Sequence, residues 1–476
     1  MYYLYDQDPS EGNSGYDIPN NRYRLDFGYS AAPYTNLFVK SRVRYDSDPR
    51  VLENFFESEY RRNQQPNSFV EVNKLSDNFS LDLYAQPQVN NFQETIERLP
   101  DVRLSGFRQP VLNTPVYYET ESSAGYYQHA YGISNGVPQG LDYAAARADT
   151  FHQLTLPHTF LGWLNVAPRV GGRLSYYSEA TGPGGTNNAT GRAVFNTGME
   201  VTFKASQTWP GVTNRLFELD GVRHIIQPSF DYVYVPSPSA SPSQLPQFDY
   251  ELPALRLLPI DYPDYNSIDS IDSQNVIRLG LRNRLQTKRA GKIENFLYWD
   301  LYTDWRLDPS SGQTTFSDLF SDVMIRPRTW LILESMMRYD VSDGQVAVAS
   351  QYLTIRPNNI WSWGISYLYS QNDPSTNSTS LGAGQNSLNS TFFYRLNENW
   401  GFRMAHQYDL LGHTLQQQAY TVYRDFRSWT AALTVRYQDN QTSPDDLTVA
   451  FTFSVKAMPR FKIGSDAVNP TGLLGF

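Results

Sequence analysis

The chain contains no cysteine in 476 residues. That excludes thiolate metal sites and thiol nucleophiles, and it leaves the redox compartment open. No run of roughly 18 apolar residues occurs, so no transmembrane helix is expected. No 3.6-residue apolar stripe persists over three turns either. Basic charge is not in excess: 39 Lys and Arg stand against 48 Asp and Glu, a net charge of −9. This argues against nucleic acid as a partner. Catalytic signatures are missing, with no G-x-x-x-x-G-K and no H-E-x-x-H. The six His are scattered, and neither His152 and His158 nor His406 and His413 have the spacing of a metal pair on one strand face. Gly132-Ile133-Ser134-Asn135-Gly136 fits G-x-S-x-G, but a nucleophile elbow needs a strand before it and a helix after it. A Tyr-rich stretch precedes and Val-Pro-Gln-Gly follows, so these residues read as a turn. No enzyme activity, cofactor or metal is expected.

What the chain has instead is alternation. In 447–456, Leu447, Val449, Phe451, Phe453 and Val455 fall on one strand face, and Thr448, Ala450, Thr452, Ser454 and Lys456 on the other, because strand side chains alternate with period two. The stretch has about the length of a membrane-crossing strand, roughly 9–11 residues. The pattern returns throughout. Trp429, Leu433 and Val435 oppose Thr430, Thr434 and Arg436. Phe195, Met199 and Val201 oppose Asn196, Glu200 and Thr202. Ile277, Leu279 and Leu281 oppose Arg278, Gly280 and Arg282. One greasy and one polar face suit a wall with lipid outside and water inside, which strands can build only as a closed barrel. A mean hydropathy of −0.50 fits, since half of each strand and all loops are polar. The 14% aromatic content supplies Trp and Tyr for interfacial girdles.

Turn-forming clusters separate these segments. Some separators are short, such as 308–312; others are long, such as 122–140. The longest, 236–272, carries seven prolines and the acids Asp249, Glu251, Asp261, Asp264, Asp269 and Asp272 against one base, Arg256. Such proline density has no place in a central strand. The segment reads as an external loop, either folded into the barrel mouth or solvated. At roughly 18–20 residues per strand and connection, the chain gives on the order of 24–26 strands. The expected organisation is an all-β, large closed antiparallel transmembrane barrel over 1–459, followed by a C-terminal tail over 460–476. The opening Met-Tyr-Tyr-Leu-Tyr-Asp has neither the basic start nor the apolar segment of a signal peptide. Because an outer-membrane protein must be exported, the expectation is a fragment or a mis-started gene.

Several segments, in order, resemble the LptD family of lipopolysaccharide-assembly outer-membrane proteins, also called organic solvent tolerance proteins. They are Asp46 to Phe55, Arg98-Leu99-Pro100-Asp101-Val102, Arg147-Ala148-Asp149 through Leu156-Pro157, Ala167-Pro168-Arg169 and Ser175-Tyr176-Tyr177. Arg223 to Pro228, Tyr232 to Pro236, Leu245 to Asp249, Asn275 to Leu285 and Tyr423 to Trp429 continue the series. The resemblance covers close to the whole chain. It implies a non-enzymatic barrel in the bacterial outer membrane that passes lipopolysaccharide headgroups through a polar lumen. Acyl chains would leave through a seam between the first and last strands. A small plug lipoprotein, LptE-like, and periplasmic bridge proteins are the implied partners. The chain departs from the family pattern in places. Ser428 stands where the family often has cysteine, so disulfide-checked assembly is excluded. The family's Asp-Arg after the long loop is replaced by Asp269-Ser270 and Asp272-Ser273. The family's periplasmic domain has no counterpart in the sequence.

Two sets of candidate residues follow. In the lumen, Arg278, Arg282 and Arg284 have two readings: cations offered to headgroup phosphates, or an ion-pair network with Asp300, Asp304 and Glu334. At the seam, Pro33 is either a weak point, since proline removes a ladder donor, or a plain loop residue. Leu447, Val449, Phe451 and Phe453 would form the other side. The alternative function is a passive porin or substrate-specific channel.

Overall fold

The structure is a computed structural model that describes residues 1–9, 17–60, 63–64, 67–180, 188–249, 254–263, 267–310, 312–373, 381–439 and 445–463, without the side chains of 57, 58 and 458–463. Among the described residues, twenty-five strands belong to one sheet, from Tyr2–Tyr5 to Met458–Ile463, and the pairings are antiparallel between strands close in sequence. Leu219–Val235, Gln274–Arg289 and Lys292–Arg306 are typical: the first two are joined in continuous register, and the last two with a single register shift at Leu285/Gln286. This is the all-β antiparallel barrel that the alternation predicts.

The faces are inverted relative to a soluble sheet. In strand Leu164–Tyr177, Arg169, Arg173, Ser175 and Tyr177 are buried, whereas Val170, Leu174 and Tyr176 are exposed. In strand Asn21–Tyr34, Arg22 and Arg24 are buried while Tyr23, Leu25 and Phe27 are exposed. Large apolar faces turned outward are stable only against lipid. The sheet is curled, because one segment touches distant strands on their inner faces. The Tyr262 hydroxyl donates to Glu119 on Tyr117–Ala130 (3.0 Å), and Arg256 donates to Asp322 on Leu319–Arg328 (3.2 Å).

Connections differ between the two ends. The short turns 35–36, 76–78, 290–291 and 329–330 lie at one end, and the long connections 131–142 and 236–273 at the other. In outer-membrane barrels the long connections are extracellular. Two boundaries differ from expectation. Residues 122–130, read as part of a separator, lie in strand Tyr117–Ala130. Their Ser and Gly mimic a turn, yet Gly125 serves close packing: a Cβ there would stand 2.8 Å from the Pro100 carbonyl oxygen. The expected tail begins within strand Met458–Ile463, and its remainder, 464–476, lies outside the described residues.

Candidate functional site

The described residues of the proline-rich segment 236–272 fold into the lumen. Apolar anchors hold them first. Phe248 is buried with Ile96, Tyr127, Tyr143 and Ala145; Ala240 and Leu245 pack on Tyr177; Ile260 and Ile271 pack on Val194, Val233 and Val235. Burying a side chain of this size contributes about 1.5–3 kcal/mol, so the anchors favour docking over a solvated loop.

Buried charges then fix the position. Asp269, fully buried, accepts from Arg147 (2.8 Å), the Tyr177 hydroxyl (2.6 Å) and the backbone amides of Phe248 (2.7 Å) and Asp249 (3.2 Å). Arg147 also donates to Asp249 (2.7 Å), whose carboxylate accepts from the Ile268 amide (3.1 Å). Arg192 donates to the carbonyls of Ile268 (2.7 Å) and Asp269 (3.2 Å). Arg147 and Arg192 thus balance Asp249 and Asp269, which offsets the large cost of burying unpaired charge. Burial pushes the Asp249 carboxyl up, but the charge and hydrogen bond of Arg147 outweigh it and hold the group below its ordinary range. Burial, then the neighbouring Glu119, push the Tyr262 hydroxyl up.

Farther along, the plug is fastened more lightly. Glu119, which takes the Tyr262 bond, is itself held by Arg108 (2.9 Å), and Asp261 lies 3.3 Å from Arg169. The contact of Arg256 with Asp322 is largely exposed. A second connection also folds inward. Arg22 pairs with Asp48 (2.9 Å) and lies over the Phe55 ring, while Arg24 reaches Glu59 (2.7 Å) and lies over Phe56.

The lumen candidates are placed as follows. Arg278 donates twice to Asp304 (2.7 and 2.9 Å), and Arg282 twice to Asp300 (2.8 and 3.0 Å). Each pair sits directly opposite in register. Arg284 faces Tyr298 instead, so among the described residues it has no carboxylate partner and its Nε is buried without an acceptor. Glu334 makes no ion pair among the described residues and lines a cavity of about 490 Å³ with Asp300, Asp322 and Tyr352.

At the seam, Pro33 lies within strand Asn21–Tyr34, at the register break between Ala31 and Tyr34. Leu447, Val449 and Phe451 are strongly exposed, and Phe453 packs on Trp429 (4.7 Å between ring centroids). Their strand, Asp446–Val455, is not the last: Met458–Ile463 follows and pairs with Phe453, Ser454 and Val455. Ser134 sits in a two-residue hairpin, paired with Val137 across Asn135 and Gly136, both at positive φ. That is a turn of the Asn-Gly type, with no helix behind it.

The buried network of Arg147, Asp249, Asp269, Tyr177 and Arg192 was not singled out from sequence. Its signal was present: Arg147, Tyr177 and Asp249 lie in the segments that carry the family resemblance.

The profile of the family LptD, LPS transport system D, matches residues 14–400. None of the curated proteins compared with the chain matches it. Among solved structures, a mutant of the ferric enterobactin receptor PfeA of Pseudomonas aeruginosa is similar at 7% identity, over 90% of this chain and 72% of that one, with a TM-score of 0.35. The copper transporter OprC matches at 9% identity over 93% and 70%, TM-score 0.35. The FrpB iron transporter of Neisseria meningitidis matches at 9% over 91% and 73%, TM-score 0.33. Scores this low carry no argument about what this chain handles. The profile match spans most of the chain, and with apolar faces turned out and charged faces turned in along the same strands, the chain belongs to the LptD family of outer-membrane lipopolysaccharide-transport barrels.

Proposed function

We propose that this barrel inserts lipopolysaccharide into the outer leaflet of the outer membrane. Headgroup sugars cross the polar lumen, and acyl chains leave through a lateral seam between the two ends of the sheet. A small plug lipoprotein fills part of the lumen and periplasmic bridge proteins deliver the lipid; family membership is what supports both partners. The observation that carries the seam is the strand pairing. Among the described residues, Leu25–Tyr34 is paired on one side only, and so is Asp446–Phe451. Unmatched backbone groups in hydrocarbon cost several kcal/mol each, so such edges must meet, and an edge with few ladder bonds parts easily. Pro33 removes one donor from the first edge. A passive channel is the second reading, favoured by the in-folded segment 236–272, which narrows the lumen as a constriction would.

Cysteine pairs separate the two. One cysteine is scanned along Leu25–Tyr34 and the other along Asp446–Phe451, in the full-length protein. Oxidation of a pair that crosslinks should block surface lipopolysaccharide, and reduction should restore it. A passive channel keeps its conductance under the same staple. Normal lipopolysaccharide delivery with a verified crosslink overturns the lateral route.

A further inference from the structure

The inner wall formed by strands Gln385–Arg395, Trp400–Asp409, Thr414–Asp425 and Trp429–Gln438 carries a row that the ion-pair chemistry does not use. Asn389, Gln407, Gln417 and Gln438 stand opposite one another in register on four successive strands. All four face inward. On the same strands the neighbours of opposite parity, Leu388, Trp400, Tyr420 and Tyr437, are exposed on the outside, and Ser387, Thr421 and Thr434 are buried on the inside. Adjacent strands lie roughly 4.8 Å apart, so carboxamides recur at about the width of one sugar ring. Gln407 donates to Gln416 (3.0 Å); the amides of Asn389, Gln417 and Gln438 make no hydrogen bond to other described residues.

Directly beside this row, two residues along each strand, lie Thr391, Ala405 and Ala419, again in register. These small side chains leave a trough with amides along one rim. On its other rim stand Phe393, Arg403 and Thr421. The row runs from mid-wall to Gln438, which faces Asp446 on the strand beside the proposed seam.

We infer that this amide row is a track for neutral sugar hydroxyls, along which the polysaccharide part of the headgroup passes toward the seam. The inference rests on the proposed export of lipopolysaccharide and adds where its sugars run. A carboxamide offers two donors and one acceptor oxygen, which matches vicinal hydroxyls. Phosphate would call for arginine; Arg436 is engaged with Asp446 (3.7 Å), and Arg403 stands on the far rim, apart from the amides. A folded protein partner would need a large apolar anchor in a central pocket, whereas the trough floor holds Thr391, Ala405 and Ala419 and ends at Arg436.

The test is the triple variant Asn389→Leu, Gln417→Leu, Gln438→Leu in the full-length protein, with the conservative pair Gln417→Asn, Gln438→Asn beside it. In detergent, binding of a lipid-free neutral glucan (maltoheptaose), read by tryptophan fluorescence, should weaken by about tenfold or more in the triple variant and stay near wild type in the conservative pair. In cells, lipopolysaccharide with a long polysaccharide should reach the surface about tenfold less, while a sugar-truncated form is delivered normally. Unchanged glucan binding overturns the track. So does equal loss of both lipid forms from a barrel that folds, which would mark the row as structural or as a protein-docking face. If the wild-type barrel delivers neither form, the export reading fails, and the glucan measurement still decides the track.

Discussion

Replacing Asp269 with Asn should release the plug. The change keeps the shape and removes the charge at the centre of the network. Asn presents an amide N–H₂ where one carboxylate oxygen now accepts from the amides of Phe248 and Asp249. Two donors then face a donor. Arg147 retains Asp249 but loses its second carboxylate, and Arg192 loses the balancing charge. Removing one partner of a buried pair costs about 3–5 kcal/mol. Because Asp249 still neutralises Arg147, the low end applies, about 3 kcal/mol. At 1.4 kcal/mol per decade, that raises the undocked fraction of the loop roughly 100-fold.

Single-channel recording in planar bilayers reads this directly, because the described part of segment 236–272 packs against the inner wall and narrows the lumen. Asp269→Asn should show frequent large openings that wild type lacks, and limited proteolysis should cut 236–272 sooner. Arg256→Ala supplies the internal comparison. Its partner contact is one bond from a side chain 61% exposed, and exposed pairs contribute about 0–1 kcal/mol. It should therefore conduct nearly as wild type. Equal conductance of Asp269→Asn and wild type, or equal opening of both variants, would refute the claim that the buried network holds the plug.

Other outcomes follow from the same geometry. Phe451→Arg and Val435→Arg, on the exposed outer face, should impair insertion by about 2–4 kcal/mol near midplane, whereas Thr452→Arg and Thr434→Arg, on the inner face, should be milder; heat-modifiable gel migration compares the pairs, and equal damage would reverse the facing. The Asp249 carboxyl is held below its ordinary value in the docked state, so its contribution is fully present above the unfolded value of about 3.9 and is lost as pH falls through the docked value. Plug closure should be flat from neutral pH down to about 5 and weaken below about 4, and Asp249→Asn should flatten that acid limb in the conductance–pH curve; an unchanged limb would assign it elsewhere. Ser134→Ala should leave stability and lipopolysaccharide delivery at wild-type levels, since the residue belongs to a hairpin turn.

Facing was legible in the sequence because period two is a local property. Leu447, Val449 and Phe451 point out, and Thr452 and Thr434 point in, as alternation alone requires. The pairs Arg278–Asp304 and Arg282–Asp300 were half-legible: their strands are consecutive and joined by a tight turn at 290–291, but that turn alone would set Arg278 against Thr303, and the irregularity at Leu285/Gln286 shifts the register by one residue to bring the aspartates opposite. Arg284 shows the limit: a charge on the correct face has no carboxylate partner among the described residues because the opposite register position holds Tyr298. The plug network lay beyond reach for a different reason. Arg147 and Asp269 are 122 residues apart, and nothing local to either names the other; only the curl of the whole sheet brings the segment over that strand. Composition misled at 122–130, where Ser and Gly signal a turn but serve close packing against the neighbouring strand. The amide row has the same character as the plug network, since Asn389, Gln407, Gln417 and Gln438 share no sequence spacing and become one feature only through four registers. In a barrel, then, the sequence reports which wall a residue faces, while lumen chemistry emerges from residues that only register and curvature bring together.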